Sequence, residues 1–140
     1  MTCIFCKIVE AEIPAKVVYE DEYVLGFLDI KPINLGHTLV IPKNHYESLS
    51  DIPREALEKV ISAGKKIAEA LKENSSIKCE GVNLFLADGK VAGQEVFHLH
   101  LHIIPRYEGD NFGLKFPAHY GKVTTEEIEA VHRKLSSSLG

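Results

Sequence analysis

At 140 residues with 45% apolar side chains, the chain can enclose one hydrophobic core, and no linker divides it, so a single domain over residues 1–140 is expected. The formal net charge is −4 and the lysines and arginines are spread rather than clustered, which argues against a nucleic acid or an anionic membrane and for a small ligand or a protein partner. No apolar stretch resembles a secretory signal or could span a bilayer, which predicts a cytoplasmic protein, and three cysteines there argue against a disulfide framework.

Near the start, Cys3-Ile4-Phe5-Cys6 has a spacing that serves either a redox couple or half of a zinc site, and by itself it does not choose between them. Val17-Val18-Tyr19 and Tyr23 to Leu28, separated by Glu20-Asp21-Glu22, read as a hairpin. A third strand runs from His37 to Ile41 and stops at Pro42. Past Ser50-Asp51, Pro53 sits in the first turn of a helix with Leu57, Val60, Ile61, Gly64, Ile67, Ala68 and Leu71 on one stripe. Cys79, in an extended apolar segment, reads as a small buried side chain, and Gly81 to Leu86 as a fourth strand. The glycine-containing loop Ala87 to Gln94 leads into a fifth strand, His98 to Ile104, closed by Pro105. The last helix starts at Thr124, where Thr124-x-x-Glu127 has the form of a capping box, and turns Ile128, Val131 and Leu135 inward.

These elements predict an α+β fold, a five-stranded antiparallel sheet covered by one long helix plus a C-terminal helix. The uncovered face is left for a ligand or a second subunit. A terminal strand with unpaired main-chain groups predicts pairing across a two-fold axis, hence a homodimer.

The chemistry concentrates in His98-Leu99-His100-Leu101-His102-Ile103-Ile104, where imidazole and aliphatic side chains alternate at the period of a strand. Three imidazoles therefore share one face, with Leu99, Leu101 and Ile103 turned into a core. A neutral imidazole with one ring nitrogen's proton held by a hydrogen bond presents the other nitrogen as a nucleophile. The middle residue, His100, fits best, and a loop containing Gly89, Gly93 and Gln94 offers N–H donors for phosphate oxygens. Attack on phosphorus would give a phosphoramidate that water then releases. A competing use is a tris-histidine metal centre holding an activated water. Against it, Cys3, Cys6 and His45 with one triad histidine would complete a closed four-coordinate zinc site and leave two imidazoles free.

On these residues the chain resembles the histidine-triad (HIT) family of nucleotide hydrolases and transferases, in its zinc-containing bacterial and archaeal type. The signature is the run from His98 to Ile104. Supporting it are Cys3-Ile4-Phe5-Cys6-Lys7-Ile8, Phe27-Leu28-Asp29-Ile30, Gly36 to Lys43 and Ala92-Gly93-Gln94, so that the likeness extends from Cys3 to Arg106.

The resemblance implies that His100 takes the nucleoside monophosphate group, that His102 sits beside the α-phosphate, and that His37 belongs to the hydrogen-bonded network behind the triad. It places Asp29 on the ribose hydroxyls, Ile4, Phe5, Ile8, Phe27 and Ile30 in an apolar slot for a purine base, and Gly93, Gln94 and Glu95 at the phosphates. It assigns a structural zinc to Cys3, Cys6, His45 and His98. Two departures stand out. Ala87 replaces a side-chain amide before Asp88-Gly89, and Glu95 replaces a hydroxyl after Gly93-Gln94. They motivate an alternative reading, a nucleotide-binding regulatory or scaffold protein with little turnover. The segment Tyr107 to Val123 is expected to meet whatever lies beyond the α-phosphate, and His119 and His132 lie outside any motif.

Overall fold

Five strands, β1 (Val17–Glu20), β2 (Val24–Leu28), β3 (Thr38–Pro42), β4 (Gly81–Leu86) and β5 (Leu101–Arg106), form one antiparallel sheet in the order β1-β2-β3-β5-β4. The computed structural model describes residues 2–140. The helices are α1 (Ile4–Val9), α2 (Arg54–Glu73) and α3 (Thr125–Leu139). Internal contacts group the residues into two units, one ending at Asp110 and one from Asn111 to Gly140.

The period-2 alternation of the strands sorts their side chains into two layers. Val24, Val40, Leu101 and Ile103 face α2 and pack with its Val60, Ala63, Ile67 and Leu71. Leu25, Phe27, Leu39 and Ile41 face the other way, against Phe5 of α1. His102 lies between Leu101 and Ile103 and opposite Leu39 and Phe85, so the strand turns it toward the α1 side. Because the chain runs from β4 at the edge back to β5 in the interior, His102 is held by a strand on each side.

Contact between α2 and β5 depends on Gly64, where an added Cβ would lie 2.7 Å from Leu101 Cδ2. A mid-helix glycine costs about 0.5–1 kcal/mol in chain entropy, and here it admits the helix to the strand that leads into the triad. The stripe expected on α2 is shifted slightly. Ala63 is buried and Ile61 is exposed.

Three expectations need correction. The fifth strand begins at Leu101 rather than His98, because the Leu99 amide donates to the Tyr46 carbonyl at 2.7 Å and so leaves the ladder. It also runs through Pro105 to Arg106. β3 ends opposite Ile103, so Pro105 pairs with β4 alone, where a missing N–H is tolerated. The capping box of α3 forms as expected, with Thr124 Oγ1 accepting from the Glu127 amide and Glu127 Oε1 from the Thr124 amide. Its stripe does not turn inward, however. Ile128, Val131 and Leu135 are all more than half exposed, since the amphipathic pattern records a face to be covered and its own unit of the chain supplies nothing to cover it. Finally, Cys79 is only half-buried, its thiol donating to the Gly81 carbonyl.

Gly64→Val should force α2 away from Leu101 and lower stability by about 1–3 kcal/mol, measured by urea denaturation. An unchanged midpoint would mean that the helix does not depend on this close approach.

Candidate active site

Short α1 is preceded by Cys3, whose sulfur caps the helix by accepting from the Cys6 amide at 3.3 Å. The expectation from sequence did not include this helix. Both cysteines consequently face inward toward His45 and His98. Cys3 Sγ lies 3.5 Å and Cys6 Sγ 3.6 Å from His98 Nδ1; His45 Nδ1 is 3.4 Å from Cys6 Sγ and 3.2 Å from His98 Nδ1. All four ligand atoms fall within 4.8 Å of one another. A tetrahedral zinc with ordinary Zn–S and Zn–N lengths sets its ligand atoms about 3.3–3.8 Å apart, so the donor set and its spacing fit that ion. Burial, then the hydrogen bond and charge of Cys3, push the Cys6 thiol up to about 11, which a bound cation would reverse.

Main-chain groups fix which nitrogen of each triad ring carries its proton. His98 is fully buried and its Nε2 lies 2.8 Å from the Pro42 carbonyl, so Nε2–H donates there and Nδ1 presents its lone pair to the cysteine cluster. His100 Nδ1 lies 2.8 Å from the His98 carbonyl, so Nδ1–H donates and the lone pair is on Nε2. The third ring is set through a relay. Ile33 N–H donates to His37 Nδ1 at 3.1 Å, which leaves the proton on His37 Nε2, 2.9 Å from His102 Nδ1. His102 therefore accepts at Nδ1 and carries N–H at Nε2. Asp29 stands behind this relay, its Oδ2 3.7 Å from His37 Nε2, while Oδ1 accepts the Lys31 amide in a turn. Among the described residues no metal-ligating group contains all three triad histidines, so the tris-histidine arrangement is not formed.

Burial is the leading cause that keeps these rings neutral. It lowers His98, His100 and His37, opposed at His100 by the His98 carbonyl and at His37 by the Asp29 charge. His102 is lowered to about 4, by burial first and then by His100 and His37.

Around the triad the apolar residues differ in what they expose. Phe5 is buried and meets His98 and His100 edge-on, with ring centroids 5.9 and 5.1 Å apart, and meets Phe27 at 5.6 Å. Phe5 and Phe27 thus form a floor. Ile8 is half-buried, Ile4 is exposed, and Ile30 stands 91% exposed, so an apolar slot here is open on that side.

The loop before the triad turns at Gly89 and Gly93, with φ of 99° and 100°, where side chains are disfavoured. Its amides are partly committed within it. Ala92 and Gln94 N–H both donate to the Gly89 carbonyl and Gly93 N–H to that of Lys90. The Gln94 side chain is buried and bonded to main chain, so it is not presented to a ligand. Among the described residues the Glu95 amide has no hydrogen-bond partner, and its side chain is exposed. Tyr46 and Glu47, whose carbonyls hold Leu99 and Gln94, carried no sequence signal, because a carbonyl is available from any residue type.

Comparison with known proteins places this geometry. A profile of the HIT domain family matches residues 10–109. A crystal structure of a HIT family protein from Bacillus subtilis is 40% identical, with a TM-score of 0.88 over 100% of this chain and 99% of that one. A Zn-bound histidine triad family protein from Mycobacterium smegmatis is 41% identical, with a TM-score of 0.77 over 99% and 98% of the two chains. The adenosine 5'-monophosphoramidase of Candida albicans is 37% identical over 141 residues, covering 99% of this chain and 91% of that protein.

Because these rings are neutral when folded, the unfolded chain binds more protons once the pH falls below the ordinary histidine value of 6.5. Their contribution is fully present above that value and is lost as pH falls through the folded value of about 4 for His102. Denaturation midpoints should therefore drop between pH 6.5 and 4, and His102→Gln should flatten part of that slope. An identical slope in the variant would show that His102 is not held neutral.

Proposed function

The chain belongs to the HIT domain family, and on that premise we propose that it cleaves at the α-phosphate of a purine nucleotide through a nucleotidyl-His100 intermediate. One observation carries this reading. The His98 carbonyl holds the Nδ1 proton of His100, leaving a neutral ring with its lone pair at Nε2. That is the protonation state that attack on phosphorus needs.

In the proposed reaction the His100 Nε2–P bond forms as the bond from phosphorus to the leaving group breaks, and the departing group takes up a proton from water. A second water then attacks phosphorus, breaks the P–Nε2 bond and releases the nucleoside monophosphate with His100 restored. His102 Nε2–H and the Glu95 amide are the donors we assign to the phosphoryl oxygens, where charge accumulates. Transfer to another phosphate instead of water is the same chemistry. We assign the ribose hydroxyls to Asp29 and the base to the slot of Ile4, Ile8 and Ile30 above Phe5 and Phe27. The relative named a monophosphoramidase favours a nucleoside phosphoramidate substrate over a dinucleoside polyphosphate.

Cys3, Cys6, His45 and His98 would hold zinc, as their spacing and the Zn-bound relative support. Bound there, the ion would supply structural cross-linking, joining α1 to the residue two before the nucleophile. We further propose a homodimer that works in the cytoplasm, a compartment that suits three unpaired thiols. No helix is long and apolar enough to cross a membrane among the described residues.

Ala87 and Glu95 favour a second reading, a nucleotide-binding scaffold, because neither gives the phosphate a side-chain donor. Single-turnover assays with adenosine 5'-phosphoramidate separate the two. The enzyme releases AMP, and His100→Ala slows release by about four orders of magnitude or more. Binding without release, indifferent to that substitution, is the scaffold's signature. For the metal, we expect X-ray absorption to detect zinc and chelation to lower the melting temperature. Loss of chemistry on chelation while the fold persists would instead indicate an ion at the reacting centre.

A further inference from the structure

We infer that Gln94 is a positioning residue, whose buried amide ties the donor loop to the segment carrying His45 and so fixes where the loop's free amide meets the phosphate. The inference deepens the nucleotidyl-transfer reading above and rests on it for its catalytic consequence.

Gln94 is 2% exposed, and its side chain forms three hydrogen bonds to main chain. Oε1 accepts the Gly89 amide at 2.9 Å; Nε2 donates to the Glu47 carbonyl at 2.7 Å and to the Val96 carbonyl at 3.1 Å. An N–H faces the oxygen and two carbonyls face the nitrogen, so the amide has one workable orientation and no hydrogen left for a ligand. The loop's remaining bonds, from Ala92 and Gln94 to Gly89 and from Gly93 to Lys90, stay inside the loop. They make it stiff without saying where it sits. The bond to Glu47, 47 positions away in sequence, supplies that location.

What it is tied to gives the anchor its meaning. His45 faces the cysteine cluster, the Tyr46 carbonyl accepts the Leu99 amide, and the Glu47 carbonyl accepts Gln94. Three successive residues thus hold the candidate metal centre, the stretch that carries the nucleophile and the donor loop in one frame. Displacement of a reacting group by about 1 Å can cost a hundredfold in rate, and Gln94 is the side chain that keeps the loop in register with His100.

Gln94→Glu tests this at constant volume. The carboxylate still accepts from Gly89 but opposes both carbonyls. We expect amide hydrogen exchange over residues 89–95 to quicken, single-turnover AMP release from adenosine 5'-phosphoramidate to fall by about a hundredfold, and adenosine affinity to stay within about twofold. Gln94→Asn, too short to reach Glu47 and Gly89 together, should behave alike and serves if the first variant misfolds. Affinity for adenosine falling in step with the rate would make Gln94 a nucleotide contact and overturn the inference. Unchanged exchange in the folded variants would overturn it as well. If the wild type shows no His100-dependent release, the functional reading fails, and the exchange measurement still decides whether Gln94 sets the loop.

Discussion

Two main-chain carbonyls govern the chemistry available to this chain. Pro42 takes the Nε2 proton of His98 and His98 takes the Nδ1 proton of His100, so adjacent members of one repeat expose opposite nitrogens. The first thereby becomes suited to a metal and the second to an electrophile, although the side chains are identical. Neither choice costs a charged partner, because burial already favours the neutral ring. The same logic extends through Ile33 and His37 to His102, whose outward nitrogen is a donor. A row of three equal residues is thus differentiated by what lies behind each ring.

This differentiation explains how much could be read from the residues alone. The sheet, α2 and the capped α3 were legible, because apolar spacing and turn chemistry are local and agree with the final packing. The start of β5 was not. The alternation reads unbroken from His98 to Ile104, and only the distant Tyr46 carbonyl draws Leu99 out of the ladder. Helix α1 escaped for a related reason, since six residues capped by a cysteine sulfur give no ordinary start signal. For the site, motif spacing points to Cys3, Cys6, His45 and His98 as one group, which the structure brings together, whereas nothing in the sequence groups Asp29 with His37 and His102. The task of Gln94 was not legible, because an amide that braces main chain and one that holds a ligand look alike in sequence.

The two apolar layers divide the labour in a similar way. The α2 side contains Leu101 and Ile103 and fixes β5 from behind, whereas the α1 side is thinner and leaves space above Phe5 and Phe27. The larger apolar cluster on the α2 face and the opening at Ile4 and Ile30 on the other face thus share the same strands. The buried Phe5 joins these roles, lying edge-on to the His100 ring while its helix and that helix's N-cap residue supply the two sulfur ligands of the candidate metal centre.

Since pairing begins only at Leu101, the triad straddles a mechanical boundary. His102 sits in mid-ladder with a neighbour on either side, while His100 belongs to a lead-in segment whose Leu99 amide is bonded to the Tyr46 carbonyl. The two rings therefore differ in how they are supported: His102 is carried by a strand paired on both sides, whereas His100 owes its placement to burial and to the bond between its own Nδ1 and the His98 carbonyl.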